Sequence, residues 1–147
     1  MSTPTGRTGK ILVVDDEPDV CVHLSRLFQE NGYRAASAGD GLEAMRAVEQ
    51  DRPDLITLDL SMPNQSGVRF YRDLKARAEL RDIPVVFVTG VTGPGGSSAD
   101  TERFYRTRSQ VPPPDGFIAK PIDEQEVLSV VGKLLGAASG AEPGVGP

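Results

Sequence analysis

Cysteine and histidine are nearly absent from this chain, each occurring once, as Cys21 and His23, and tryptophan does not occur at all. A single cysteine leaves no intramolecular disulfide and no thiolate metal cluster. Positive charge is also scarce, with 16 Lys and Arg against 21 Asp and Glu and a net charge of -5. Binding a phosphate backbone takes clustered Lys and Arg that release counterions, so direct nucleic-acid binding is not expected. Long apolar runs are missing too, since no stretch approaches the roughly 18 residues of a membrane span. The opening MSTPTGRTGK has two basic residues but no apolar run directly behind them, and so does not read as a signal peptide. These absences leave the expectation of a soluble, cytoplasmic chain with no membrane partner.

Glycine and proline are plentiful, 16 and 12 respectively, and unevenly placed. Residues 1–9 and 136–147 are enriched in them and read as flexible flanks, the second as a tail or linker. The body, 10–135, is expected to be one domain, long enough to bury about two thirds of the surface its unfolded chain exposes. Strand-like and helix-like patterns alternate along it, which predicts a parallel sheet with covering helices. The expected strands are Ile11–Val14, Tyr33–Ala38, Leu55–Leu58, Val85–Thr89 and Phe117–Ala119. After Pro18, Val20, Leu24, Leu27 and Phe28 recur at helical spacing, and Asn31-Gly32 supplies the stop. Asp40 is the expected N-cap of a helix through Val48, Gly67 to Leu80 reads as a third helix, and Asp123 caps a last one with Val127, Leu128, Val131, Leu134 and Leu135 on its apolar face. The stretch Gly90–Gly116 holds nine Gly or Pro in 27 residues. It leaves room for a short helix from about Ser98 to Arg108 and an extended Pro112-Pro113-Pro114.

The chemistry-bearing residues fall at strand ends: Asp15 and Asp16 after the first strand, Asp59 after the third, Thr89 at the end of the fourth and Lys120 after the fifth. In an open parallel sheet that edge is where ligands bind, so side chains 105 positions apart converge on one crevice. Three carboxylates there repel one another, and a cation makes the cluster tolerable. Hard oxygen ligands without His or Cys beside them select Mg²⁺. Such a site suits phosphoryl transfer, in which an Asp is an accepted nucleophile and a Lys holds a phosphate oxygen as a point charge. Each residue alone has a plainer reading: Asp15-Asp16-Glu17 as an acidic turn before a helix, Thr89 as a β-branched strand residue, Phe117 and Cys21 as packing, His23 as surface.

ILVVDDEPDV, DLSMPNQSG around Asp59, VVFVTG, and FIAKP around Lys120 together resemble the receiver domain of bacterial two-component response regulators, over nearly all of Lys10–Leu135. The resemblance implies a flavodoxin-like α/β fold, a five-stranded parallel sheet in the order 2-1-3-4-5 with about five flanking helices, the fourth short or irregular. It implies Asp59 as phosphoacceptor, with a sensor histidine kinase or phosphotransfer protein as donor. Mg²⁺ would be held by Asp16 directly, by Asp15 largely through water, by Asp59 and by the Ser61 carbonyl. Lys120, before a proline bond that is cis in the family, and Thr89 would hold the phosphate, and Thr89 with Phe117 would form the switch pair. Output would pass by contact with a downstream protein target, with a homodimer left open. Two features depart from the family's pattern: the long Gly90–Gly116 connection, and an apolar Val91 two residues after Thr89.

Two other functions are weighed against this one. An aspartate-nucleophile phosphatase would want a second carboxylate two residues past the nucleophile, where this chain has Ser61, so the only catalysis expected is the domain's own phosphorylation and dephosphorylation. A degenerate receiver that binds partners without phosphorylation would be expected to lack an acid or the lysine, and all are present. A flavodoxin-like nucleotide binder would need a Gly-rich loop after the first strand, and none follows.

Overall fold

A computed structural model of the protein describes residues 9–62, 66–90 and 113–139. Five strands, β1 (Lys10–Val14), β2 (Arg34–Ala38), β3 (Leu55–Leu58), β4 (Val85–Gly90) and β5 (Gly116–Lys120), form one sheet in the order β2-β1-β3-β4-β5. All four pairings are parallel. Four helices lie among the described residues: α1 (Pro18–Glu30), α2 (Gly41–Gln50), α3 (Ser66–Ala76) and α4 (Glu124–Ser139). This is the flavodoxin-like order expected from the sequence. The short helix expected over Ser98–Arg108, Pro112, Val91, and flank residues 1–8 and 140–147 lie outside the described residues. α4 runs past Leu135 to Ser139.

Strand side chains alternate between two cores. Leu12, Val14, Ile56, Leu58, Val85 and Phe87 pack with Ala44 and Val48 of α2 and with Phe70, Tyr71 and Leu74 of α3. Ile11, Val13, Leu55, Val86, Val88 and Ile118 pack on the other face with Leu24, Leu27 and Phe28 of α1 and Val127 and Val131 of α4. Burial on both faces is why β1 and β3 read as unbroken apolar runs. β2 is an edge strand whose only buried side chain is Ala38, which explains its weaker sequence signal.

The helix ends follow their capping chemistry. α1 opens on Pro18, and Gly32, at φ 92, takes the left-handed turn that releases the chain into β2. Asp40 Oδ1 accepts the Glu43 N–H at 2.8 Å while Glu43 Oε1 accepts the Gly39 N–H at 2.7 Å, a reciprocal cap that fixes the start of α2. Asp123 Oδ1 likewise accepts from the N–H groups of Gln125 and Glu126.

One boundary corrects the sequence reading. The third helix ends at Ala76 rather than Leu80, and residues 77–82 form turns. Pro84 disfavours helical backbone at Ile83, and Lys75 Nζ draws the turn inward by donating to the carbonyls of Arg81 (2.9 Å) and Ile83 (3.3 Å). Leu80 and Ile83 are buried all the same, as part of a turn.

Candidate functional site

The sheet's C-terminal edge continues for one residue past β1 and β3. The Asp15 N–H donates to the Ala38 carbonyl (3.1 Å) and the Asp59 N–H to the Val14 carbonyl (3.0 Å), so both aspartates are still held by neighbouring strands. Each is only 3% exposed, whereas Asp16 is exposed. One carboxylate oxygen from each of Asp15, Asp16 and Asp59 can be chosen so that all three lie within 4.8 Å of one another. A donor set of carboxylate oxygens alone is suited to a hard divalent cation.

Lys120, the last residue of β5, reaches across this edge. Its Nζ donates to Asp15 Oδ2 at 2.9 Å, to Glu17 Oε1 at 3.2 Å and to Asp59 Oδ2 at 3.3 Å. The two buried carboxylates are oriented from behind by the backbone: Asp15 Oδ1 accepts the Glu17 N–H at 2.9 Å and Asp59 Oδ1 accepts the Ser61 N–H at 2.8 Å. In both residues Oδ2 is therefore the oxygen turned towards the lysine. The Lys120-Pro121 bond is cis.

Three carboxylates thus face one ammonium, with that of Asp16 close to two of them. Burial acts to lower the Lys120 pKa, but the hydrogen bond it donates to Asp15, the charges of Asp59 and Asp15 and the bond to Glu17 outweigh it, so the ammonium is held charged well above the ordinary lysine range. Burial raises the Asp15 pKa, and Asp59 adds to the rise; the Lys120 bond and the Glu17 N–H offset them only in part. The pocket has more negative charge than its lysine neutralises, which is the electrostatic condition for taking up a cation.

The remaining expected residues sit around this centre. Thr89 lies near the end of β4 in register with Ala119, and Phe117 in register with Phe87. Phe117 is 39% exposed, a large aromatic left partly in solvent on β5. Ser61 lies two residues after Asp59 and contributes the N–H already described. A groove of about 720 Å³, lined by Asp16, Met45, Met62, Arg69 and Phe70 among others, opens beside the acids over α2 and α3.

Three contacts were not foreseen from the sequence. Glu17 joins the Lys120 cluster. Cys21 Sγ donates to the Asp15 carbonyl at 3.3 Å, and burial followed by the Asp15 charge pushes its thiol pKa up, which keeps it protonated. His23 Nε2 lies 2.7 Å from Glu124 Oε2, tying α1 to α4. No periodicity signals such contacts; the Glu17 pair forms because β1 and β5 place their C-termini on one edge.

The profile of the response regulator receiver domain matches residues 11–132. The chain belongs to the response regulator receiver family. It is 32% identical over 134 residues to protein Rrf1 of Nitratidesulfovibrio vulgaris, covering 91% of this chain and 88% of that protein. It is 27% identical over 126 residues to protein PilH of Pseudomonas aeruginosa, covering 86% and 97%. Among solved structures, the receiver domain of a signal transduction histidine kinase from Syntrophus aciditrophicus superposes with a TM-score of 0.74 at 33% identity, covering 95% of this chain and 98% of that one. Receiver domains are signalling modules switched by phosphorylation; they interact with histidine kinases or phosphotransfer proteins and generally bind Mg²⁺ at their acidic site. In this receiver no helix among the described residues is long and apolar enough to cross a membrane.

Proposed function

We propose that this receiver accepts a phosphoryl group on Asp59 from a sensor histidine kinase or phosphotransfer protein and signals by contact with a downstream protein. The observation that carries the reading is the position of Asp59: buried, one oxygen fixed by the Ser61 N–H and the other 3.3 Å from Lys120, with the carboxylates of Asp15 and Asp16 alongside. In the transfer, the donor's P–N bond breaks as a P–O bond to Asp59 forms, and the leaving imidazole keeps the electron pair. Lys120 holds a phosphoryl oxygen as a fixed point charge, and the Thr89 hydroxyl donates to another. Asp16 would hold Mg²⁺ directly and Asp15 largely through water, with the Asp59 carboxylate and the Ser61 carbonyl as the remaining protein ligands. The bound cation supplies charge neutralisation between the anionic acceptor and the anionic phosphoryl group.

Intact-mass measurement after incubation with acetyl phosphate and Mg²⁺ tests this reading. A single phosphoryl adduct is expected on the wild type, absent in Asp59→Asn and strongly reduced by a chelator. Equal labelling of Asp59→Asn overturns the acceptor, and labelling indifferent to chelation overturns the metal site.

A further inference from the structure

An ammonium group has three protons to donate. In Lys120 they face three carboxylates, those of Asp15, Asp59 and Glu17, so a phosphoryl oxygen can bind only by displacing one. The three differ in how firmly they are held. Asp15 and Asp59 are buried and each is tied by a backbone N–H to its second oxygen. The Glu17 side chain is 61% exposed and makes no capping bond to α1, although Glu17 occupies the N-cap position. An exposed ion pair gives up little on breaking, because water replaces the contact. We propose that Glu17 is the displaceable partner of Lys120: it occupies the place a phosphoryl oxygen will take, holds the ammonium over Asp59 until then, and by that contact restrains phosphorylation.

This inference rests on phosphoryl transfer to Asp59 and concerns what sets its rate. The incoming donor is anionic and must meet a lysine already fully engaged. Releasing Lys120 from Glu17 should favour capture of the donor more than the transfer step itself. Glu17→Gln is expected to lower the acetyl phosphate concentration for half-maximal labelling about fivefold, with the maximal rate little changed. The gap should close at high salt, where the exposed charge is screened. Glu17→Asp keeps the charge but is one methylene shorter and falls short of the ammonium, so it should show most of the same gain. If Glu17→Asp behaves as the wild type, Glu17 is a general surface charge and the proposal fails. It fails equally if Glu17→Gln labels no better than the wild type.

The contact itself is tested without phosphoryl transfer. The ¹⁵N-ammonium resonance of Lys120 should shift in Glu17→Gln before any donor is added, and an unmoved resonance overturns the inference. A wild type that takes no phosphoryl group, although its Lys120 resonance responds to Glu17→Gln, overturns the proposed function instead.

Discussion

Asp15 carries its charge where burial and the Asp59 carboxylate disfavour it, and the Lys120 and Glu17 N–H bonds recover only part of that cost. With its pKa raised, the folded state binds the Asp15 proton more tightly than the unfolded chain does. The stability this gives is fully present below the ordinary value of 3.8 and is lost as pH rises through the folded value. At neutral pH without metal, Asp15→Asn should therefore melt at a higher temperature than the wild type. The advantage should vanish in acid below pH 3.8 and shrink when Mg²⁺ is added, as thermal melts in chelator and in excess Mg²⁺ would show. A second strained residue lies two positions before Asp59 on the same strand. Thr57 is 1% exposed between Val13 and Val86, and among the described residues its Oγ1 has no hydrogen-bond partner. An unpaired buried hydroxyl costs about 1–3 kcal/mol, so the near-isosteric Thr57→Val should stabilise the fold by about 1 kcal/mol in urea denaturation. A loss of stability would mean that the hydroxyl is bonded to a buried water.

α3 begins beneath the backbone of Asp59, where a glycine makes the close approach feasible. A methyl group at Gly67 would collide with the Asp59 carbonyl oxygen and lie 3.3 Å from both the Leu60 Cα and the Met62 Cε. Gly67→Ala should therefore cost about 1–3 kcal/mol, the usual penalty of overpacking. Because the displaced backbone is that of Asp59, labelling by acetyl phosphate should slow as well; full stability with unchanged labelling would show that the loop moves aside freely. Neither consequence follows from the sequence alone, where Gly67 marks only the start of an apolar helical stripe. The strands were legible to within a residue or two because runs such as Ile11–Val14 and Leu55–Leu58 are short, doubly buried and bounded by acids or turns. The meeting of the strand-end side chains was legible for the same reason, since a strand's last residue fixes where Asp15, Asp59 and Lys120 emerge. The end of α3 was not: Ala78 and Leu80 continue an apolar pattern in the sequence, yet the turn before Pro84 buries Leu80 and leaves Ala78 exposed. Glu17 was missed because its role depends on a lysine 103 positions away, and its local pattern is only that of an acid before a helix.

A phosphoryl group shifts the conformation of the whole domain only if it interacts differently with two of its states. The strands at issue are β4 and β5, joined in register at Thr89 and Ala119 and at Phe87 and Phe117. Phe117, at 39% exposed, has apolar surface left to bury, and since burying a whole aromatic ring is worth about 1.5–3 kcal/mol, covering the part still exposed can bias a two-state equilibrium. If the Thr89 hydroxyl follows the phosphoryl oxygen and the Phe117 ring turns inward, β5 would transmit the change to α4 through Ile118, which packs with Val127 and Val131. Thr89→Ala should then accept a phosphoryl group on Asp59 to the same stoichiometry as the wild type but convert the change poorly. Amide chemical shifts of Gly116–Lys120 and Glu124–Ser139 should move on phosphorylation of the wild type by several times more than in Thr89→Ala. A Phe117→Ala variant should likewise be labelled normally and show the small response, because it has no ring to bury. Equal shifts in all three proteins would mean that the phosphoryl group acts on α4 directly through Lys120 and the Pro121 turn, with Thr89 and Phe117 as bystanders.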